Sequence, residues 1–174
     1  MKFLPALLIV GINLTACHKK DATPTIDFGP NGGITARDNT GYLQGSADPT
    51  DWTLDENWNQ QEQNLFQSLN FDLNDTQSSS PLSILLYPNP VADKPVFRVQ
   101  QPGNATQLAW ILVDRKYKAV RELAKGLPVK SAVTNTYAFD FSALKQGETY
   151  RMYYIFYTGT TLIGKGHGDI KIGL

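Results

Sequence analysis

The stretch TYRMYYIFYTGTTLIGKGHGDIKIGL, residues 149–174, carries the pattern that decides the fold. Its first half places large side chains alternately on two faces, as a β-strand requires. Thr158-Gly159 then supplies a turn, and a second strand pattern follows it. We predict an antiparallel pair of long strands, the second of them bent at its glycines, Gly164, Gly166 and Gly168.

Shorter strand patterns precede this pair, with turn signals and no helical periodicity between them. The one at 107–114 is apolar on both faces and predicts a strand in the interior of a sheet. The five patterns are SILLYPNPV (83–91), PVFRVQ (95–100), QLAWILVD (107–114), KAVREL (118–123) and TYAFDFSAL (136–144). About seven short strands over 81–174 predict a mainly β domain, an immunoglobulin-like antiparallel β-sandwich.

The segment before the sandwich contains a helical pattern over residues 48–70. Thr53 and Glu56 have the spacing of a capping box, and four apolar residues follow at near-helical intervals. These four are Leu54, Trp58, Leu65 and Leu69. We therefore predict one amphipathic helix with a linker over 51–80.

Two sets of large side chains form the candidate interaction surface. They are Trp52, Trp58 and Phe66 of the predicted helix, and Arg151, Tyr153 and Tyr157 on one face of the long strand. Arginine and aromatic residues are the types enriched in binding hot spots, and aromatic rings also stack on sugars. Two alternatives stay open: the helix covers the strand face, or the surfaces receive a partner protein or a glycan.

The N-terminus reads MKFLPALLIVGINLTACHKKD, one cation followed by a short apolar run. Such a run is typical of a signal peptide rather than a membrane span. The LTAC that ends it matches the bacterial lipobox, in which the cysteine, Cys17, accepts a diacylglyceryl group. We predict a signal peptide at 1–16, lipidation at Cys17 and a flexible tether over 17–50, because this stretch is rich in Gly and Pro.

The motif YPNPV, 87–91, followed by a sandwich, resembles the start of the C-terminal sorting domain of type IX secretion cargo. The resemblance covers 87–174 and includes ILVDRKYKAVREL (111–123), FDFSALKQGETY (139–150) and KGHGDIKI (165–172). It implies an immunoglobulin-like sandwich that serves as a secretion signal. The chain departs from the family pattern at Lys116-Tyr117 and at 147–150, and little chain precedes the domain, so we predict a related sandwich with a structural rather than a sorting role.

Composition and motifs favour a protein without catalytic machinery. Cys17 is the single cysteine, which excludes an internal disulfide or a thiolate metal cluster. His167 and Asp169 share a strand face and are weak candidates for a metal site, but two ligands are too few. We expect no cofactor and no nucleic-acid partner.

Charge is distributed unevenly, with three Lys/Arg against ten Asp/Glu over 17–92 and twelve against six over 93–174. An acidic arm next to a basic body either folds back on it, meets other partners or stays solvated.

We predict a non-enzymatic, lipid-anchored outer-membrane protein that acts as an accessory or binding subunit of an envelope complex, with the cell surface as one location. The alternatives are a carbohydrate-binding lipoprotein of a glycan-uptake system and a type IX secretion cargo.

Overall fold

The structure, a computed structural model, describes residues 24–74, 83–100, 104–130 and 133–173. Eight strands dominate it. They are β1 (Thr53–Leu54), β2 (Ser83–Tyr87), β3 (Val96–Gln100), β4 (Gln107–Val113), β5 (Ala119–Pro128), β6 (Thr134–Ala138), β7 (Thr149–Thr158) and β8 (Thr161–Lys171). The helical elements of the described residues are α1 (Gln60–Asn64) and two short 3-10 helices (Pro30–Gly33 and Gln67–Leu69).

The strands form two antiparallel sheets, one of five strands in the order β1-β8-β7-β4-β5 and one of three in the order β2-β3-β6. The predicted mainly β class and the antiparallel β-sandwich are confirmed. The immunoglobulin-like type stays a prediction. β4 lies between β7 and β5, so the interior position predicted from its apolar faces is also confirmed.

The β7–β8 pair forms as predicted, with the turn between Thr158 and Thr161. One face of β7 packs into the space between the sheets, in a cluster that includes Met152, Tyr154 and Phe156. The other face belongs to a second apolar cluster with Tyr153, Ile155 and Tyr157. Both faces of this strand are therefore buried, and the second cluster lies outside the sandwich proper.

Residues from the stretch 48–70 cover this outer face, but they do not form the single helix that was predicted there. Thr53 and Leu54 instead pair with the edge of β8, and the backbone N–H groups of Trp52 and Asp55 donate to carbonyls of that strand at 3.0 and 2.8 Å. The capping box is present six residues later, where Asn59 and Glu62 begin α1. The open edge of a sheet offers backbone hydrogen-bond partners that compete with helix formation. These distant partners cannot be recognised from the spacing of apolar residues alone.

The expected flexible tether over 17–50 also differs from what the structure shows for residues 24–50. These residues have little regular structure, yet they lie against the sandwich. Ile26 is 1% exposed and Thr35 is 3% exposed, and Arg37 pairs with Asn89 in an isolated bridge. The acidic arm therefore folds back on the body, the first of the three alternatives raised by the charge distribution.

Two glycines of β8, Gly166 and Gly168, make room for the covering segment, and the pairing of β8 with β7 has a register shift next to the third, Gly164. A Cβ added at Gly166 would lie 2.0 Å from the Thr53 carbonyl oxygen, and one at Gly168 would lie 2.2 Å from the Trp52 ring. The strand runs without interruption through both positions. Their missing side chains let the covering segment approach the sheet edge closely.

The YPNPV motif also has a structural role. Asn89 is fully buried, its backbone pairs with Arg37, and its side-chain amide donates to the Asp169 carbonyl at 2.9 Å. Its side-chain oxygen accepts from the Lys171 N–H at 3.1 Å. This one residue joins the arm to the end of β8, and Val91 continues the connection with a parallel bridge to Ile172.

Candidate functional site

The six residues of the candidate interaction surface are largely buried. Exposed fractions are 6% for Trp52, 4% for Trp58, 1% for Phe66, 0% for Tyr153 and 5% for Tyr157, and the Arg151 side chain is 12% exposed. The Trp58 ring packs on the rings of Phe66 and Tyr153, with centroid distances of 5.3 and 5.4 Å. Of the two sequence alternatives, covering of the strand face by the preceding segment is the one found in the structure, where these six side chains form no exposed surface.

Between the covering segment and the sheet lies a row of charged side chains on β7 and β8. Lys165, His167 and Asp169 alternate along β8, with Arg151 beside Asp169 on β7. Because successive side chains of a strand point to opposite faces, these groups lie on one face of the sheet, as predicted for His167 and Asp169. We call this set the polar stripe.

Arg151 and Asp169 form a bidentate ion pair. Arg151 Nε donates to Asp169 Oδ1 at 2.6 Å and its terminal nitrogen donates to Oδ2 at 2.7 Å. The Asp169 side chain is 3% exposed. A second buried carboxylate, that of Asp51, accepts the backbone N–H of Asp169 at 2.7 Å and that of Thr35 at 2.6 Å. Two acidic groups thus share this site with one guanidinium.

The other two members of the polar stripe hold the covering segment. His167 Nδ1 lies 2.8 Å from an oxygen of Asp55, which also accepts from the Trp58 indole N–H at 2.7 Å. Lys165 is fully buried and donates to the carbonyls of Glu56 and Leu73 at 2.8 and 2.6 Å. These contacts explain why acidic and aromatic residues recur in the segment that was predicted as a helix.

His167 and Asp169 do not converge on a common point, since each has its own protein partner. No group of three or more His, Cys, Asp or Glu side chains able to hold a metal occurs within residues 24–74, 83–100, 104–130 and 133–173. Three acids that are close in sequence have separate partners. Asp48 accepts the Thr50 N–H in a turn. Asp51 accepts a buried backbone N–H, and Asp55 contacts the His167 ring.

Asp51 gives the fold a predicted pH dependence. Burial raises the pKa of its carboxyl to about 7, and the nearby Asp169 carboxylate adds to the rise. The folded protein therefore holds a proton that the unfolded chain has lost, and the free energy of unfolding falls as pH rises from about 4 to about 7, by at most ~1.4 kcal/mol per pH unit. Urea unfolding at several pH values measures this slope.

The variant Asp51→Asn removes the titrating group, so its slope is expected to be shallower by that amount between pH 5 and 7. At low pH the variant is expected to be less stable than the wild type, because an amide nitrogen cannot accept one of the two backbone N–H groups. Equal slopes in the two proteins would contradict the assignment of Asp51 as the titrating group.

Exposed apolar groups are few in the part of the chain that the structure describes. Tyr42 is 75% exposed and Leu43 is 42% exposed, and Tyr42 is the one aromatic side chain there in the exposed class. Both belong to a tight turn in which Asp38 Oδ1 accepts the N–H groups of Thr40 and Tyr42 at 2.8 and 3.0 Å. We call the turn residues 38–43 the Tyr42 tip.

The chain enters the described body at this same end of the sandwich, because Val113 at the end of β4 pairs with Arg151 of β7, which pairs with Asp169 near the end of β8. Ile26 donates its N–H to the Arg115 carbonyl at 2.8 Å, and Arg115 Nε donates to the Ile26 carbonyl at 3.3 Å. Arg115 lies in the turn between β4 and β5. Next to that turn is a cleft of about 460 Å³ with charged walls, lined in part by Arg115, Lys116, Lys145 and Glu148.

No protein-family model matches the chain, and no curated protein is significantly similar to it. No helix of the described residues is long and apolar enough to cross a membrane. Cys17 lies outside the described residues.

The sequence analysis did not identify Asp51 and Lys165 as buried structural residues, or the Tyr42 tip as an exposed apolar surface. The signal for the tip was present in the DNTG turn pattern at 38–41, followed directly by two apolar residues.

Proposed function

We propose that this protein is a non-enzymatic, lipid-anchored outer-membrane protein whose sandwich serves as a binding subunit of an envelope complex. The LTAC sequence with its single cysteine, Cys17, carries the proposal of the anchor. The short distance along the chain from Cys17 to Ile26, the first buried residue of the body, supports it. A body attached this closely to its lipid stays at the membrane surface, where envelope proteins assemble.

The Tyr42 tip is the proposed contact for a partner protein. An exposed tyrosine beside a leucine is suited to a partner pocket, and the hydrogen bonds of Asp38 hold the turn in one conformation. Arg37 adds to this order by donating to the Gly41 carbonyl at 2.8 Å. A pre-ordered tip loses little conformational entropy when it binds. Because Asn89 ties Arg37 to the end of β8, the tip lies at the end of the sandwich where the chain enters, within reach of an integral membrane protein.

The anchor is tested with Cys17→Ser in a bacterium that processes lipoproteins. The wild-type protein is expected in the outer-membrane fraction of a density gradient, with residues 1–16 removed and an acyl mass on Cys17. The variant retains residues 1–16 and leaves that fraction, because serine does not accept the diacylglyceryl group. His18→Ala is the matched control and keeps both properties. Outer-membrane recovery of Cys17→Ser without an acyl mass would contradict the anchor.

The binding role is tested by pull-down of detergent-solubilised, tagged protein. We expect capture of an integral outer-membrane protein and at least a roughly tenfold loss of that capture for Tyr42→Ser combined with Leu43→Ser, as for removal of a hot spot. Val133→Ser is the control, since Val133 is also an exposed apolar residue, at 48%, but lies at the other end of the sandwich. Equal loss in both variants would refute the Tyr42 tip as the contact.

The alternatives receive less support. A glycan platform at Tyr153 and Tyr157 would need exposed rings, and both rings are buried. The proposed sorting function of 87–174 would make surface delivery depend on this domain. The buried contacts of Asn89 favour a structural reason for the YPNPV motif instead.

A further inference from the structure

We propose that the turn between β4 and β5, residues 114–118, lies on the membrane surface and binds the phosphate-bearing headgroups of anionic phospholipids. The inference rests on the proposed lipidation at Cys17. It adds an orientation to that function: the sandwich is attached by its lipid and also contacts the bilayer through a defined basic face.

The attachment geometry limits how far this turn can be from the acyl chains. Ile26 is held on Arg115 by two hydrogen bonds and is 1% exposed. It lies nine positions after Cys17, and a fully extended chain of that length spans at most about 30 Å. A domain of this size is about 40 Å across. The connection is therefore shorter than the domain, and the turn is the part of the body that it holds closest to the lipid.

The charge of the turn fits an anionic surface. Arg115, Lys116 and Lys118 are all exposed. Residues 114–118 contain these three cations and one acid, Asp114, so the turn keeps an excess of positive charge. One oxygen of Asp114 accepts the backbone N–H groups of Lys116 and Lys118 at 2.8 and 3.0 Å and holds the turn in shape. Each Lys or Arg near an anionic membrane contributes about 1 kcal/mol, and a lipid chain combined with a basic patch gives more stable attachment than one chain alone.

Two further groups of cations add to the positive charge. Lys19 and Lys20 follow the proposed lipidation site, Cys17, in the sequence. On the body, the cleft beside the turn is lined by Arg115, Lys116 and Lys145. Lys145 is 2.7 Å from Glu148, so the turn itself carries the larger excess of positive charge. The cleft, at about 460 Å³, offers a concave, charged surface next to the turn for a headgroup.

The turn fits a lipid surface better than a protein partner. Its one aromatic residue, Tyr117, points inward and lies 6.5 Å from Tyr153 by ring centroids. What remains outside is cationic. Protein interfaces depend on buried aromatic or apolar anchors, whereas headgroup binding depends on charge and needs no deep pocket.

The test uses the full-length, lipidated protein in vesicles and an amine-reactive label, with labelling of each lysine measured by mass spectrometry. Vesicles contain phosphatidylethanolamine with phosphatidylglycerol, or phosphatidylcholine alone. We expect Lys116 and Lys118 to be labelled at least about threefold more slowly on the anionic vesicles. Lys125 and Lys130, exposed on the far half of β5 and beyond it, are the internal controls and are expected to react equally on both. Protection is lost at about 0.5 M NaCl, because salt screens the attraction.

The outcomes separate this inference from the proposed function. The mass of the N-terminal peptide reports the acyl group on Cys17, and its absence overturns the anchor itself. Acylated protein with equal labelling of Lys116 and Lys118 on both vesicles overturns the membrane contact while leaving the anchor intact. Equal protection of these lysines by inorganic phosphate in detergent would assign the site to free phosphate and likewise overturn the membrane contact.

Discussion

Replacing Arg151 by methionine is expected to lower the free energy of unfolding by about 3–5 kcal/mol, the range for removing one partner of a buried ion pair. The reason is the carboxylate that stays behind. Asp169 is 2% exposed and receives both hydrogen bonds from the guanidinium, and the carboxyl group of Asp51 is its neighbour. Methionine preserves much of the apolar stem of arginine, so the loss reports the charge rather than the packing. Urea unfolding followed by tryptophan fluorescence measures it.

Three further variants define the cause. Arg151→Lys keeps the charge but not the fork of donors, and its loss is expected to be intermediate. Adding Asp169→Asn to Arg151→Met restores part of the stability, since no buried charge is left unpaired. Lys145→Met removes the exposed ion pair with Glu148 and is expected to leave the unfolding midpoint nearly unchanged. An Arg151→Met protein as stable as the Lys145→Met protein would show that the buried pair does not hold β7 and β8 as described.

The second large effect is expected from Gly168→Ala, which adds one methyl group at a close contact between the Trp52 ring and the sheet. The new Cβ would lie 2.2 to 2.4 Å from three carbons of the Trp52 ring, well inside contact distance. The Trp52 backbone has a φ of 60° and its ring packs on Tyr154 and Phe97, so it has little room to move. A cost of about 3 kcal/mol, at the upper end for overpacked cores, is expected, seen as a melting temperature lower by about 6–12 °C.

A double-mutant cycle with Trp52→Leu tests the contact directly. Trp52→Leu alone is expected to destabilise the protein because it leaves a cavity in the core. In that background Gly168→Ala should cost much less, because the smaller side chain frees the space, and the coupling should exceed about 1 kcal/mol. Additive losses would mean that the methyl group acts through something other than the Trp52 ring.

Much of the fold could be predicted because local sequence patterns determine it. The alternation over β7 and the turn at Thr158-Gly159 give the long antiparallel pair, and the apolar faces of β4 give its interior position. The alternation also placed His167 and Asp169 on one face. In each case the side chains of a single segment decide the outcome, since a strand of period two must bury or expose each face as a unit.

The candidate site was predicted less well. The six residues predicted to form an exposed surface instead make contacts between the arm and the body. The sequence could not distinguish the two cases, because the same large side chains are used to bind a partner and to pack within one chain. The Thr53–Glu56 spacing suggested a capping box, but the structure places that motif at Asn59 and Glu62. β5 is longer than the predicted strand because its pairing with β4 continues to Pro128, beyond the local signal.

The sequence by itself determined the antiparallel β class, the paired long strands and the faces of β7 and β8. The tertiary structure alone decided that residues 51–55 form a strand edge instead of a helix, that Gly166 and Gly168 provide space, and that Arg151 is paired with Asp169. The physical reason is range. Alternation and turn chemistry act between neighbours in sequence. Arg151 and Asp169, by contrast, meet only because β7 and β8 pair, and the ring beside Gly168 is that of Trp52, about a hundred positions away along the chain.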